Sequence, residues 1–122
     1  MEKQTYTYDE AFAKSLEYFK GDELAARVWV NKYAVKDSFG NIYEQSPEDM
    51  HWRIANEVAR IEAKYANGLS AQELFELFDH FKYIVPQGSP MTGIGNDFQV
   101  ASLSNCFVIG MEGAADSYGA II

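Results

Sequence analysis

The sequence predicts a mainly α-helical domain over its first two-thirds, followed by a shorter region of β-type texture. Three observations carry this. Apolar residues recur at three- and four-residue intervals up to Phe78. Turn and capping residues stand where those stripes begin and end. After Lys82 the helical spacing gives way to a glycine- and proline-rich stretch and then to alternation. A chain of 122 residues, 48% of them hydrophobic, has room for one small domain able to hide roughly two-thirds of its surface, so global disorder is excluded.

The first stripe is Phe12, Leu16 and Phe19, the second Leu24, Val28 and Tyr33, the third Trp52, Ile54, Val58 and Ile61. Each is expected to be the buried face of a helix. Gly21 ends the first helix and Asp22 caps the next, and Asp37, Gly40 and Asn41 make a turn. Ser46 supplies an N-cap hydroxyl to the third helix, Pro47 its first position, and Glu48 and Asp49 face the positive end of its dipole. That helix is expected to run to about Tyr65, with Asn67 and Gly68 as the stop. Ser70 and Glu73 form a capping box for a helix bearing Leu74, Phe75, Leu77 and Phe78. Tyr83, Ile84 and Val85 read as a short β-type run, and Pro86 to Gly95, with three glycines and two prolines, as a long shaped loop. Phe98 and Val100 alternate, and Asn105 to Ile109 reads as a strand closed by Gly110. The last residues, Asp116 to Ile122, look like a helix start, so the sequence reads as the N-terminal part of something longer.

Ten basic against eighteen acidic side chains leave a net charge of −8, with no basic cluster to track a phosphate backbone. Direct nucleic-acid binding is therefore disfavoured. Cys106 is the one cysteine, no apolar signal-peptide core opens the chain, and no apolar run approaches a membrane span. A soluble protein of the reducing cytoplasm is expected, with no membrane partner.

Cys106 lies in Ser102-Leu103-Ser104-Asn105-Cys106-Phe107-Val108, a polar approach to an apolar strand. A lone cysteine there is ordinarily an inert buried residue. The neighbouring hydroxyl and amide groups, and the loop of Ser89, Pro90 and Gly93 just before it, also allow a small polar ligand. The Gly93-Ile94-Gly95 pair lacks the full phosphate-loop spacing and reads as a turn. His51 and His80 fall on different predicted helices with no ligand partners at metal spacing, so they read as solvated histidines and no metal site is assigned. Glu57, Glu62, Glu73 and Glu76 are expected to pair with Arg53, Arg60 or Lys82 on a solvated surface.

The ordered set Pro86-Gln87-Gly88-Ser89-Pro90-Met91-Thr92-Gly93, Ser102 to Val108 and Asp116-Ser117 resembles the first active-site strand, and the approach to it, of the catalytic subunit of ribonucleotide reductase. Tyr18-Phe19, Gly21-Asp22-Glu23-Leu24-Ala25, Val28 to Tyr33 and Ser46 to His51 are similar to the helical domain of that family. The wording is closest to the adenosylcobalamin-dependent branch and its relatives.

The resemblance implies a helical domain at residues 1–82 and, at 83–122, the first strands of an incomplete ten-stranded α/β barrel. It implies ribonucleotide reduction by radical chemistry, with Cys106 as one of the two cysteines oxidised at each turnover. Ser89 and Asn105, with Cys106, would contact substrate, Ser89 at its phosphate end, although Asn105 stands where the family often has Ser. Asp116, Ser117 and Tyr118 would begin the deoxynucleotide effector site. The radical source would be adenosylcobalamin or a partner subunit, the reductant a thioredoxin-type dithiol, and the full-length enzyme a homodimer. Alone, the chain lacks the radical cysteine and the disulfide partner and is expected to be inactive. The alternative is an acidic helical interaction module with Cys106 as a core residue.

Overall fold

The computed structural model describes residues 4–98 and residue 103. Five α-helices are present among the described residues: α1 (Tyr8–Tyr18), α2 (Glu23–Lys32), α3 (Pro47–Glu62), α4 (Ala71–Phe78) and the short α5 (Gly88–Gly93). A single 3-10 turn, Asp79–Phe81, follows α4. Among the described residues, pairing of β type is limited to two isolated antiparallel bridges, Tyr6 with Ile42 and Lys36 with Ile42.

Local chemistry explains where the helices begin. Thr7 and Glu10 form a reciprocal capping box on α1, and Ser70 and Glu73 form the expected one on α4. The Asp22 carboxylate accepts from the Ala25 amide at 3.0 Å, the cap read from sequence for α2. Pro47 does open α3, but Ser46 gives it no side-chain cap. The Asp49 carboxylate instead reaches back to the Gln45 amide at 3.0 Å. The Asp37 turn is tied by Asp37 Oδ1, which accepts from the Phe39 and Asn41 amides at 2.9 and 3.0 Å.

Helix ends are equally local. After α1, Lys20 (φ 56°) and Gly21 (φ 91°) are left-handed, and the Gly21 amide returns to the Leu16 carbonyl at 2.8 Å. At the end of α2 the Lys36 ammonium donates to the carbonyls of Val30 (2.5 Å), Ala34 (3.2 Å) and Asn31 (3.4 Å), so a cation covers the negative end of the dipole. α3 stops at Glu62, three residues before the expected Tyr65. The Glu62 carboxylate then accepts from the Leu69 amide at 2.9 Å and closes the connection to α4.

α1 packs on α2, and α3 packs chiefly on α4. The core between them is Ala11, Trp29, Val30, Ala34, Ile42, Met50, Ile54, Ala55, Leu74, Phe78 and Met91, with Phe19, Val58, Phe75 and Ile94 against its edge. Trp52 stacks on Phe75 with ring centroids 4.0 Å apart, joining α3 to α4. Two of the expected stripes are rotated. Leu24 and Val28 are exposed, and α2 buries Ala26, Trp29 and Val30 instead, because its tryptophan seats its indole Nε1 on the Met50 sulfur at 3.3 Å. On α1 the fully buried positions are Ala11 and Ser15, the serine satisfied by the Gln45 carbonyl at 3.2 Å. Small residues lie innermost there because they allow the close approach, while Phe12 and Leu16 flank them half-buried. Ile61, expected on the buried face of α3, is exposed.

Beyond α4 the chain departs from its sequence pattern. Tyr83, Ile84 and Val85 form no strand among the described residues and stand exposed; Tyr83 and Ile84 donate their amides to the Leu77 carbonyl at 3.3 and 3.0 Å. Inside the expected loop lies α5, which inserts Met91 into the helical core. No helix among the described residues is long and apolar enough to cross a membrane.

Candidate functional site

The one sequence-assigned site residue within the described structure is Ser89, half-buried in the first turn of α5. Asn105, Cys106, Asp116, Ser117 and Tyr118 lie outside the described residues, as do the alternation ending at Val100 and the strand from Asn105 to Ile109. What the structure builds is therefore the frame that holds Ser89.

Six residues cannot sustain a helix by themselves, and the N-cap residue Gln87 gives α5 no side-chain cap bond. Three ties replace intrinsic stability. Met91 is buried in the core. The Thr92 hydroxyl donates back to the Gly88 and Ser89 carbonyls at 3.2 and 3.3 Å, and the Asn96 amide group donates to the Thr92 carbonyl at 2.9 Å. The third tie comes from α3: Arg53 donates through its two terminal nitrogens to the carbonyls of Met91, at 2.5 Å, and Ile94. Its Nε donates to Glu44 Oε2 at 2.9 Å, and Glu44 Oε1 accepts from the Val35 amide at 3.0 Å.

Both charged side chains are nearly out of solvent, 11% exposed for Arg53 and 7% for Glu44. Burial pushes the Glu44 carboxyl upward, and the guanidinium beside it pulls in the other direction. Arg53 therefore does not join a solvated surface network with the α3 and α4 acids, as its sequence neighbourhood implied. Of those acids, Glu57 pairs with Arg60 at 2.6 Å as expected, whereas Glu73 serves the capping box and Glu76 accepts from Gln72 at 3.1 Å.

The glycines of Gly93-Ile94-Gly95 make a turn that brings the chain against α3. Gly95 has φ 73°, and a Cβ there would stand 2.9 Å from Arg53 Cγ and 3.2 Å from the Arg53 carbonyl oxygen. Beside it Val35, Tyr43, Glu44, Arg53, Gly95, Asp97 and Phe98 line a cavity of about 200 Å³.

A second polar cluster lies elsewhere on α3. His51, expected to be solvated, is fully buried among Tyr18, Phe78 and Phe81. Tyr18 donates to Asp79 Oδ1 at 3.0 Å and accepts from the His80 amide at 2.6 Å, and its oxygen is 3.5 Å from His51 Nδ1. His51 Nε2 has no partner. Burial drives the imidazole down to about 4, with Asp79 acting in the opposite sense, and raises the Tyr18 hydroxyl. His80 is not on a helix face. It takes a left-handed backbone (φ 55°) in the 3-10 turn and stacks on Tyr18 at 4.4 Å. Among the described residues no group of three or more His, Cys, Asp or Glu is arranged to hold a metal ion.

Sequence reasoning missed Arg53 and Glu44 as a unit, and Tyr18 with Asp79. The available signal was Arg53 itself, an ionisable group one position from core-facing Ile54 and three from Met50.

No curated protein and no solved structure gives a significant match to the chain. Residues 19–92, more than half of it, running from before α2 into α5 and including Glu44, Arg53 and Met91, match the family described as ribonucleotide reductase, all-alpha domain. The chain belongs to the ribonucleotide reductase family and carries the all-alpha domain of its catalytic subunit.

Proposed function

We propose that the chain serves ribonucleotide reduction in the catalytic subunit, with Cys106 as a reducing thiol and Ser89 at the phosphate end of the substrate. The observation that supports this reading is the family match over residues 19–92, continued in the sequence by Pro86 to Gly93 and Ser102 to Val108. Cys106 and a second cysteine, which these 122 residues do not contain, would each surrender a hydrogen. The ribose 2′-hydroxyl leaves as water, carbon 2′ gains hydrogen in its place, and the two sulfurs close a disulfide. A thioredoxin-type dithiol reopens that disulfide. Asn105 lies at the substrate with Cys106, and Asp116, Ser117 and Tyr118 begin the site of a deoxynucleotide effector, in a cytoplasmic homodimer.

The radical that starts the reaction would come from adenosylcobalamin, as in the branch this sequence resembles, or from a radical-generating partner subunit. Four clefts lined by described residues hold about 200 to 510 Å³ and are open to solvent. They do not fit a corrin macrocycle, and no step above is carried by these residues through that cofactor.

The test is a pair of variants in the reductase that contains this chain. Cys106→Ser should abolish multiple turnover and leave nucleotide binding intact, since serine cannot form a disulfide. Ser89→Ala should instead weaken substrate binding by about 1.5 to 3 kcal/mol, the worth of a hydrogen bond to a charged group. Parent-rate turnover by the serine variant with a dithiol reductant would refute Cys106 as a redox residue and leave it a buried strand residue.

A further inference from the structure

We propose that Arg53 is a positioning residue: anchored by Glu44, its guanidinium clamps the Gly88–Asn96 segment to α3 and so sets where Ser89 meets the phosphate end of a nucleotide. The inference rests on the reading of Ser89 given above. Its structural part stands on geometry alone. Arg53 projects from the sixteen-residue helix α3, and its three bonded nitrogens go to three different places: the Glu44 carboxylate, the Met91 carbonyl and the Ile94 carbonyl.

The two carbonyls flank the C-terminal half of α5, so the tie fixes both the position of that helix and the direction in which the chain leaves it. Glu44 is itself fixed by the Val35 amide. The clamp therefore links three separate parts of the chain: the connection before α3, α3 itself and the α5 segment. Gly95 is the space it requires. With its side chain 11% exposed and these three bonds made, Arg53 is too enclosed to meet a solvent-borne phosphate directly. Its influence on substrate has to pass through the backbone it holds.

Arginine is needed for this task because its planar fork serves separate acceptors at once, whereas the single nitrogen of lysine keeps the charge beside Glu44 but cannot reproduce the spread. The test uses Arg53→Lys in the reductase containing this chain, beside Ser89→Ala and the parent. Amide exchange should quicken about ten- to hundred-fold from Thr92 to Asn96, the loss of one charge-assisted bond, and stay unchanged in α1 and α2. Affinity for CDP and CTP should fall about ten-fold while cytidine binds as before, and the change should appear in KM with kcat within about two-fold.

Quickened exchange with unaltered CDP and CTP affinity, while Ser89→Ala weakens both, would overturn the positioning role and leave the function of Ser89 standing. Unaltered affinity in Ser89→Ala would remove the phosphate assignment, and the role of Arg53 through it falls as well. Absence of ribonucleotide reduction in the parent would refute the functional reading, while the exchange comparison still decides the clamp. If Arg53→Lys fails to fold, Gly95→Ala displaces the same segment by crowding Arg53 Cγ, and the same loss of CDP and CTP affinity is expected; unchanged affinity there would overturn the proposal.

Discussion

Two residues apart on α3, Arg53 and His51 are both ionisable and both largely withdrawn from solvent, yet the fold partners them in opposite ways. The guanidinium of Arg53 is matched: its bonded donors find the Glu44 carboxylate and the carbonyls of Met91 and Ile94. His51 is held neutral because its surroundings are mostly aromatic. Its Nδ1 lies 3.5 Å from the Tyr18 oxygen and 3.8 Å from Asp79 Oδ1, and its Nε2 has no partner among the described residues. The difference teaches that a charged side chain withdrawn from water is tolerated where its donors are matched, whereas an imidazole with few partners is pushed toward its neutral form. It also separates the two in purpose. The arginine reaches across the fold to the segment carrying Ser89, whereas the histidine fills space between α1, α4 and the turn after it.

The largest expected effect comes from breaking the matched pair on one side. Arg53→Leu strands the buried Glu44 carboxylate and should destabilise the protein by about 3 to 5 kcal/mol, measured by urea unfolding. The double variant Glu44→Leu with Arg53→Leu removes the stranded charge and should recover part of that loss. Recovery should stay incomplete, because the Val35 amide and the Met91 and Ile94 carbonyls lose partners. A double variant no more stable than the single one would show that the ion pair is not what the arginine contributes.

The next effect is a pH dependence. Unfolded, His51 takes up a proton near 6.5, and folded, only near about 4. Between those values the unfolded chain binds more protons, so stability is fully present above pH 6.5 and drains away as pH falls toward 4. The span corresponds to about 3 kcal/mol. His51→Leu should lose this acid slope and match the parent at pH 7 to within about 1 kcal/mol, since leucine removes the partnerless Nε2 while Tyr18 keeps Asp79 and the His80 amide. Glu44, whose carboxyl is pushed up, titrates in both proteins, so the difference between their pH profiles isolates His51. Parallel profiles would mean that the imidazole takes up its proton in the fold as readily as in the unfolded chain.

The smallest effect should come from Arg60, one helical row away. Its pair with Glu57 at 2.6 Å is shorter than the Arg53–Glu44 pair at 2.9 Å, but Arg60 is 64% exposed. Arg60→Ala should leave the melting temperature unchanged within error, because an exposed pair is screened by water and holds two mobile side chains. A clear drop would show that bond length, and not desolvation with matched partners, separates the ion pairs of α3.

The helices themselves were legible where their signals are short-range. Asp22, Pro47, the Ser70–Glu73 box and the Asp37 turn act within about four residues of chain, and each appears in the structure as its chemistry requires. Which side of a helix is buried was legible only in part. Leu24 and Val28 obey the helical period as well as Trp29 and Val30 do, and the choice between them falls to Met50, twenty-one residues beyond Trp29.

Of the candidate site, the sequence by itself determined the residue types: the Ser89-Pro90 approach, the Ser102 to Val108 run that holds Cys106, and the family pattern that both resemble. Tertiary structure alone decided that α5 is a helix, that His51 is buried and that Arg53 serves it from α3, because those outcomes depend on partners far away along the chain. Tyr18 meets Asp79 across 61 residues and Arg53 meets Ile94 across 41. Hydrogen bonds of that separation have no periodic trace in sequence, since they are set by where whole helices come to rest and not by the neighbours of either residue.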